Sequence, residues 1–267
     1  MLQIDSVDVA PPGPGEVRIK VKALGLNRAE AMFRSGHYFE QPVLPSKNGY
    51  EAAGVIESVG TGVEGLKPGD AVSTIPAFAL SRYGVYGDLA VVPAAAVAKH
   101  PESLSWAEAA AVWMQYLTSY GALIEIGKLG AGDTVLIPAA SSSVGIASIQ
   151  IANLVGARPI ALTRKEDKRD VLTKLGAATV IATEMQDIVA EVRKATQGKG
   201  ARIAFDPVGG PTAAKLAQAL APHGILFEYG ALSPEPTTLS NLDLVGKSLT
   251  IRGYILVELT SDSRSLE

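Results

Sequence analysis

The rhythm of apolar and polar positions changes near Ser105. Before it the period is short. "EVRIKVKALGLN", from Glu16, alternates polar and apolar residues as a strand with one buried face does, and "AAGVIESVG" and "DAVSTI" are short strands bounded by Gly and Pro. "GTGVEGLKPGD" between them is a turn-rich connector. "SLSWAEAAAVWMQYLTSYGAL" then reads as helix, opened by Ser105 with Glu108 three residues on, the spacing of a capping box.

From Thr134 onward strands and helices alternate. The predicted strands are "TVLIP", "RPIAL", "TVIAT", "RIAFD", "GILFEYG" and "LTIRGYI". Helices are predicted between the first five, in "SVGIASIQIANLV", "KEDKRDVLTKL", "MQDIVAEVRKAT" and "PTAAKLAQAL". Short apolar strands joined mostly by helices predict a parallel, doubly wound sheet covered on both faces. The β-rich part before it needs more strands than these to close a sheet of its own.

Composition narrows the function classes. With 267 residues, 47% hydrophobic and 19% charged, the chain is a folded one with room for one large or two smaller domains. Its 24 basic and 27 acidic residues are well mixed, which argues against a nucleic-acid platform. The absence of cysteine removes disulfides, thiolate nucleophiles and thiolate-bound zinc. No apolar run reaches the roughly 20 residues of a membrane span. "MLQIDSVDVAPPGPGEV" lacks the layout of a signal peptide, so a cytoplasmic location is expected, with no membrane or nucleic-acid partner.

"PAASSSVGIASIQIAN", residues 138–153, is the candidate for chemistry. Aligned to G-x-G-x-x-G with Gly145 last, it has Ala140 first and Ser142 second, so one glycine of three remains. An ordinary strand-to-helix turn and a phosphate-binding loop both fit it. Its place at the first βα turn favours the loop, in which Ser142, Ser143 and Val144 offer backbone N–H groups at a helix start, and the serines offer hydroxyls. About twenty residues on, "LTRKEDK" places Thr163, Arg164, Lys165 and Lys168 where an NAD-binding unit would carry a carboxylate. A hydroxyl and cations there suit a 2′-phosphate, so NADP(H) is the expected cofactor, against the alternative of a solvated helix start.

The runs "PGPGEVRIKVKALGLNRAEAMFRSGHY", "NGYEAAGVIESVGTGVEGLKPGDAV", "GDTVLIPAASSSVGIASIQIAN", "LTRKEDKRDVLTKLGA" and "FDPVGG" cover most of the chain. By them it resembles the medium-chain dehydrogenase/reductases, in the zinc-independent quinone oxidoreductase and zeta-crystallin-like branch. Gly132, Asp133, Leu136, Gly145 and Gln150 fit that branch's signature, whereas Ser142 and Ser143 replace its paired glycines and Asn153 its terminal basic residue. Zinc-using relatives carry Gly-His-Glu where this chain has "GYE", so Tyr50 stands in place of a ligand. The three histidines, His37, His100 and His223, are expected at surface or loop positions, and no metal site is expected.

The resemblance implies a GroES-like catalytic domain over residues 1–112, a Rossmann NADP-binding domain over 113–255, and in 256–267 the start of a return to the first domain. It also implies that both chain ends are clipped. The expected reaction is metal-free hydride transfer from NADPH to a small electrophile, a quinone or an α,β-unsaturated carbonyl. Tyr38 is the implied proton donor, or else a rim aromatic. Asn27, eleven residues earlier, is implied to lie by the nicotinamide ribose and substrate, or else caps a turn. Thr118, Gly230, Ala231, Leu232 and Tyr254 are implied to border the nicotinamide. Asp206 is a wall beside the cofactor or a structural turn, and Trp106 and Trp113 are expected to pack helices. A homodimer paired through the edge strand "LTIRGYI" is implied as well. Two competing readings are an NADPH-binding structural or regulatory protein with little turnover, as the crystallins of this family show, and an alcohol dehydrogenase-like member of the superfamily.

Overall fold

The computed structural model describes residues 3–261 of the chain. They form two compact units. One runs to Met114 and takes in Thr260, and the other is Gln115–Leu259.

In the first unit, strands β1 (Glu16–Leu24), β2 (Ala52–Val59), β3 (Ala71–Thr74), β4 (Leu89–Pro93) and β5 (Val97–Lys99) form an antiparallel sheet in the order β4-β1-β2-β3-β5. The alternation along β1 sends Val17 and Ile19 into a core with Ile56, Val72, Ala90 and Val92. Strands β4 and β5 are additions to the sequence reading. They supply the closure that it called for.

The second unit holds β6 (Thr134–Ile137), β7 (Arg158–Thr163), β8 (Thr179–Ala182), β9 (Ala201–Asp206), β10 (Leu220–Glu228) and β11 (Thr250–Gly253). All pairings are parallel, in the order β11-β10-β9-β6-β7-β8, so "LTIRGYI" does supply an edge strand. Successive residues serve opposite faces. Val135, Ile137, Ala161, Ile203 and Phe205 enter one core, and Leu136, Ile160, Leu162, Ala204 and Leu226 the other. A strand buried on both faces reads as an unbroken apolar run, which is why β6 to β9 were legible, whereas β11 at the edge is mostly exposed.

Two expectations are corrected. The long helix from Ser105 is broken into Trp106–Ala109 and Trp113–Tyr120, and the latter continues as a π-helical turn, Gly121–Ile126. The Ser105–Glu108 capping box does form, with the Ser105 N–H donating to Glu108 Oε2 at 2.9 Å. The restart has a distant cause, because the Met114 N–H donates to the buried Glu51 carboxylate at 2.8 Å. A helix not foreseen, Asn241–Lys247, joins β10 to β11. It leaves Leu242 and Val245 exposed, so it carries no apolar stripe for a pattern search to find. Among the described residues no helix is long and apolar enough to cross a membrane.

Phe205 has no solvent exposure and stacks on Tyr229 with ring centroids 3.9 Å apart. Phe205→Ala is expected to cost roughly 3–5 kcal/mol of stability, read by urea unfolding, whereas a cost under about 1 kcal/mol would mean the β9–β10 core refills the void.

Candidate functional site

In the second unit the chain leaves β6 toward β7 and β8, then returns to the other side of β6 for β9 to β11. Doubly wound sheets bind ligands in the crevice beyond the strand ends at such a switch. The turn after β6 begins with Ala139 in the left-handed region, φ +47°. The Ala140 N–H donates to Leu162 O at 3.1 Å, tying the turn to β7. Ser142 is extended and caps helix Ser143–Leu154, its Oγ accepting from the Gly145 N–H at 3.1 Å. The first helical bond runs from the Ile146 N–H to Ser142 O. The N–H groups of Ser143 and Val144 precede it and face outward at a helix start, a ready seat for an anion.

Gly145 is the glycine that packing requires. A Cβ there would lie 2.6 Å from the Ala140 carbonyl oxygen. Ser142 uses an oxygen lone pair on the cap and keeps its hydroxyl hydrogen for a ligand. Beside this loop, Thr163 ends β7 and is half-buried, while Arg164, Lys165 and Lys168 are exposed. The backbone bonds Thr183 N–H to Thr163 O (2.8 Å) and Glu184 N–H to Arg164 O (3.1 Å) hold this turn. Lys168 lies 3.7 Å from Asp167, and Arg169 is committed to Glu166 and to Val180 O.

The third wall follows β9 and β10. Gly230, Ala231 and Leu232 are exposed, and the Leu232 N–H donates to Pro207 O at 3.1 Å. A Cβ on Gly230 would meet the same oxygen at 2.7 Å, so glycine permits this approach. Asp206 accepts from the Val208 and Gly209 N–H groups at 2.7 and 3.1 Å, which is the structural-turn reading. Glu228 lies opposite it in register, with one carboxylate oxygen buried and unpartnered. Burial pushes Asp206 up to about 6. Burial, followed by repulsion from Asp206, pushes Glu228 up to about 8. Tyr254 is buried, its hydroxyl donating to Leu117 O at 3.5 Å and filling the space that Gly121 leaves open. Thr118 is buried in helix Trp113–Tyr120.

In the first unit the predicted residues gather around two buried acids. Asn27 occupies the N-cap of helix Arg28–Arg34, and its backbone N–H donates to Glu30, so the capping role is met. Its Nδ2 donates to Glu30 Oε1 at 3.1 Å and to Glu51 Oε2 at 2.8 Å. Carboxylate oxygens accept, so the nitrogen end of this amide must face them. Burial raises the pKa of both Glu30 and Glu51, and the bonds from Asn27 oppose the rise. Tyr38, half-buried, packs against the cluster of Phe33, Tyr50 and Leu80. Trp113 Nε1 donates to Ser73 Oγ at 2.9 Å, and Trp106 packs edge-on against His100. Among the described residues no three His, Cys, Asp or Glu are grouped to hold a metal.

Comparison with known proteins places this geometry in a family. Two family models match, "Alcohol dehydrogenase GroES-like domain" over residues 13–102 and "Zinc-binding dehydrogenase" over 143–266. The chain is 32% identical to quinone oxidoreductase 1 of Escherichia coli, over all of this chain and 82% of that protein. This chain belongs to the quinone oxidoreductase branch of the medium-chain dehydrogenase/reductases. The solved structure of Escherichia coli quinone oxidoreductase complexed with NADPH superposes with a TM-score of 0.89 at 31% identity, covering 98% of this chain and 79% of that one. The chain is also 37% identical to the synaptic vesicle membrane protein VAT-1 homolog of Rattus norvegicus, over 82% of its own length and 53% of the relative's. It thus spans about half the length of such relatives.

For a quinone oxidoreductase-branch chain, the second unit brings Ser142, Ser143, Val144, Thr163 and Arg164 to neighbouring strand ends, with Gly230–Leu232 on the loop after β10. The first unit brings Asn27 and Tyr38 to one acid and tyrosine cluster. Glu30, Glu51 and Glu228 were not singled out in the sequence. Glu51 follows Tyr50 in "GYE", and only a fold shows that its carboxylate is buried.

Glu228 stays protonated in the folded chain up to about pH 8, whereas its ordinary value is 4.5. The stability it contributes is whole below 4.5 and is lost as pH rises through about 8. Glu228→Gln cannot ionise, so it is expected to flatten that slope, exceeding the native chain by on the order of 1–2 kcal/mol near pH 8 and matching it in acid. Urea unfolding over a pH series checks this, and parallel curves for the two proteins would refute it.

Proposed function

We propose that the chain carries an NADPH-dependent, metal-free reductase activity toward a quinone or an α,β-unsaturated carbonyl. The carrying observation is the exposed Arg164 beside Thr163 at the end of β7, next to the outward N–H groups of Ser143 and Val144. The donor set suits NADPH: N–H groups and a hydroxyl for the pyrophosphate, then a hydroxyl and cations, with Lys168, for the 2′-phosphate. The NADPH complex of the Escherichia coli relative supports the same reading. Thr118, Tyr254 and the Gly230–Leu232 backbone border the nicotinamide in this proposal, and Asn27 lies by its ribose and the substrate.

Bound NADPH supplies the hydride. Tyr38 gives its hydroxyl proton to the anion that the substrate becomes, and a water proton restores it. Two copies pair along the open edge of β11 in this proposal.

A second reading, a cofactor-binding protein with little turnover, draws on the vesicle-membrane name of the VAT-1 relative. NADPH oxidation with a panel of quinones and enones separates the two, because binding without turnover favours the second. Arg164→Ala is expected to weaken NADPH binding by roughly 10- to 100-fold and leave NADH unchanged, the worth of a hydrogen bond between charged groups. Fluorescence titration of both cofactors reads this, and equal affinity of the native chain for NADPH and NADH would overturn the 2′-phosphate assignment.

A further inference from the structure

Asn27 is tied to Glu51 through two bonds. The Gly25 N–H donates to Glu51 O at 2.9 Å, and Asn27 Nδ2 donates to Glu51 Oε2 at 2.8 Å. Gly25 permits this approach, because a Cβ on it would lie 2.7 Å from the Glu51 Cβ. Leu26, between the two ties, is left 81% exposed. Glu51 is itself held, since its Oε1 accepts from the Met114 N–H at 2.8 Å and the residue is buried. Glu30, the second acid, accepts from the Tyr50 N–H at 3.2 Å, and its carbonyl accepts from Asn48 Nδ2 at 3.2 Å.

This arrangement decides what the Asn27 side chain can offer. An amide nitrogen carries two hydrogens. Here one goes to Glu51 and the other to Glu30 Oε1, at 3.1 Å. Turned over, the amide would set its oxygen against two buried carboxylates, acceptor against acceptor. With both hydrogens committed, Asn27 has only Oδ1 for a ligand, and that atom accepts. The carbonyl of a quinone or enone also only accepts, so it finds no partner in Asn27. A ribose hydroxyl, which donates, does.

We propose that Glu51 is the positioning residue for Asn27: with Glu30 it holds the amide nitrogen, so that Oδ1 accepts a hydrogen bond from a hydroxyl of the nicotinamide ribose and Asn27 donates nothing to the substrate carbonyl. The inference rests on the reading that Asn27 lies by that ribose. It assigns Asn27 to orienting the cofactor and leaves the proton to Tyr38.

The test is Glu51→Gln, which keeps the size of the side chain and exchanges one acceptor oxygen for a donor. Asn27 Nδ2 and the Met114 N–H then compete for a single oxygen, and the Asn27 amide is free to turn over. NADPH is expected to bind roughly 3- to 10-fold more weakly, the range for one hydrogen bond, while 2′,5′-ADP, which has no nicotinamide ribose, binds as it does to the native chain. NADPH analogues lacking the 2′ or the 3′ hydroxyl of the nicotinamide ribose separate a ribose contact from general damage. One of them should bind the native chain more weakly by the same factor and lose nothing further in Glu51→Gln. Unchanged NADPH affinity in Glu51→Gln overturns the inference, and so do losses that add in full for both analogues. If Glu51→Gln fails to fold, the native chain decides. By NMR, the two Asn27 Nδ2 hydrogens, assigned by their loss in Asn27→Ser, should exchange with water more slowly than those of Asn241, which is exposed. Exchange as fast as at Asn241 overturns the inference. A native chain that binds neither NADPH nor 2′,5′-ADP fails the cofactor reading itself, and the role of Glu51 with it.

Discussion

The first unit is organised by two buried carboxylates that form no ion pair among the described residues. Glu30 and Glu51 are each 3% exposed, and burial disfavours their charged forms before anything else acts. Such groups persist only where donors are brought to them. The donors here are the Asn27 amide and the backbone N–H groups of Asn27, Tyr50 and Met114. Meeting that demand sets the start of helix Arg28–Arg34, anchors "GYE", and fixes where the helix from Trp113 begins. Asn27 and the Tyr50 backbone are held in place by this constraint.

The second unit carries the opposite solution. Asp206 has two backbone donors, but Glu228 beside it keeps a buried oxygen with none. A carboxyl in that setting remains neutral, with its proton in place of a partner. One pair of acids is therefore organised by hydrogen bonds, and the other is relieved by protonation.

What could be read from the chain followed from period and local chemistry. The inner parallel strands were visible because Leu136, Ile160 and Leu226 serve one core while their neighbours serve the other. The Ser105–Glu108 cap was visible because it lies within one helical turn. The break before Trp113 was not, since its cause is Glu51, far away in sequence. Helix Asn241–Lys247 was hidden by its exposed Leu242 and Val245. In "GYE", Tyr50 could be recognised as the residue standing where a metal ligand would be. Its burial in one cluster with Phe33 and Leu80 is a tertiary contact, and no spacing rule encodes that.

The turn after β6 has a consequence in entropy. Ala139 holds a positive φ that glycine would adopt freely, and Ser142 and Ser143 stand where relatives of this branch are glycine-rich. Side chains at these places narrow the conformations open to the loop before any ligand arrives. An anion seated on the Ser143 and Val144 N–H groups would then find them already aimed, and less freedom would be lost on binding. The scarcity of glycine, which made this turn hard to recognise, leaves it stiff.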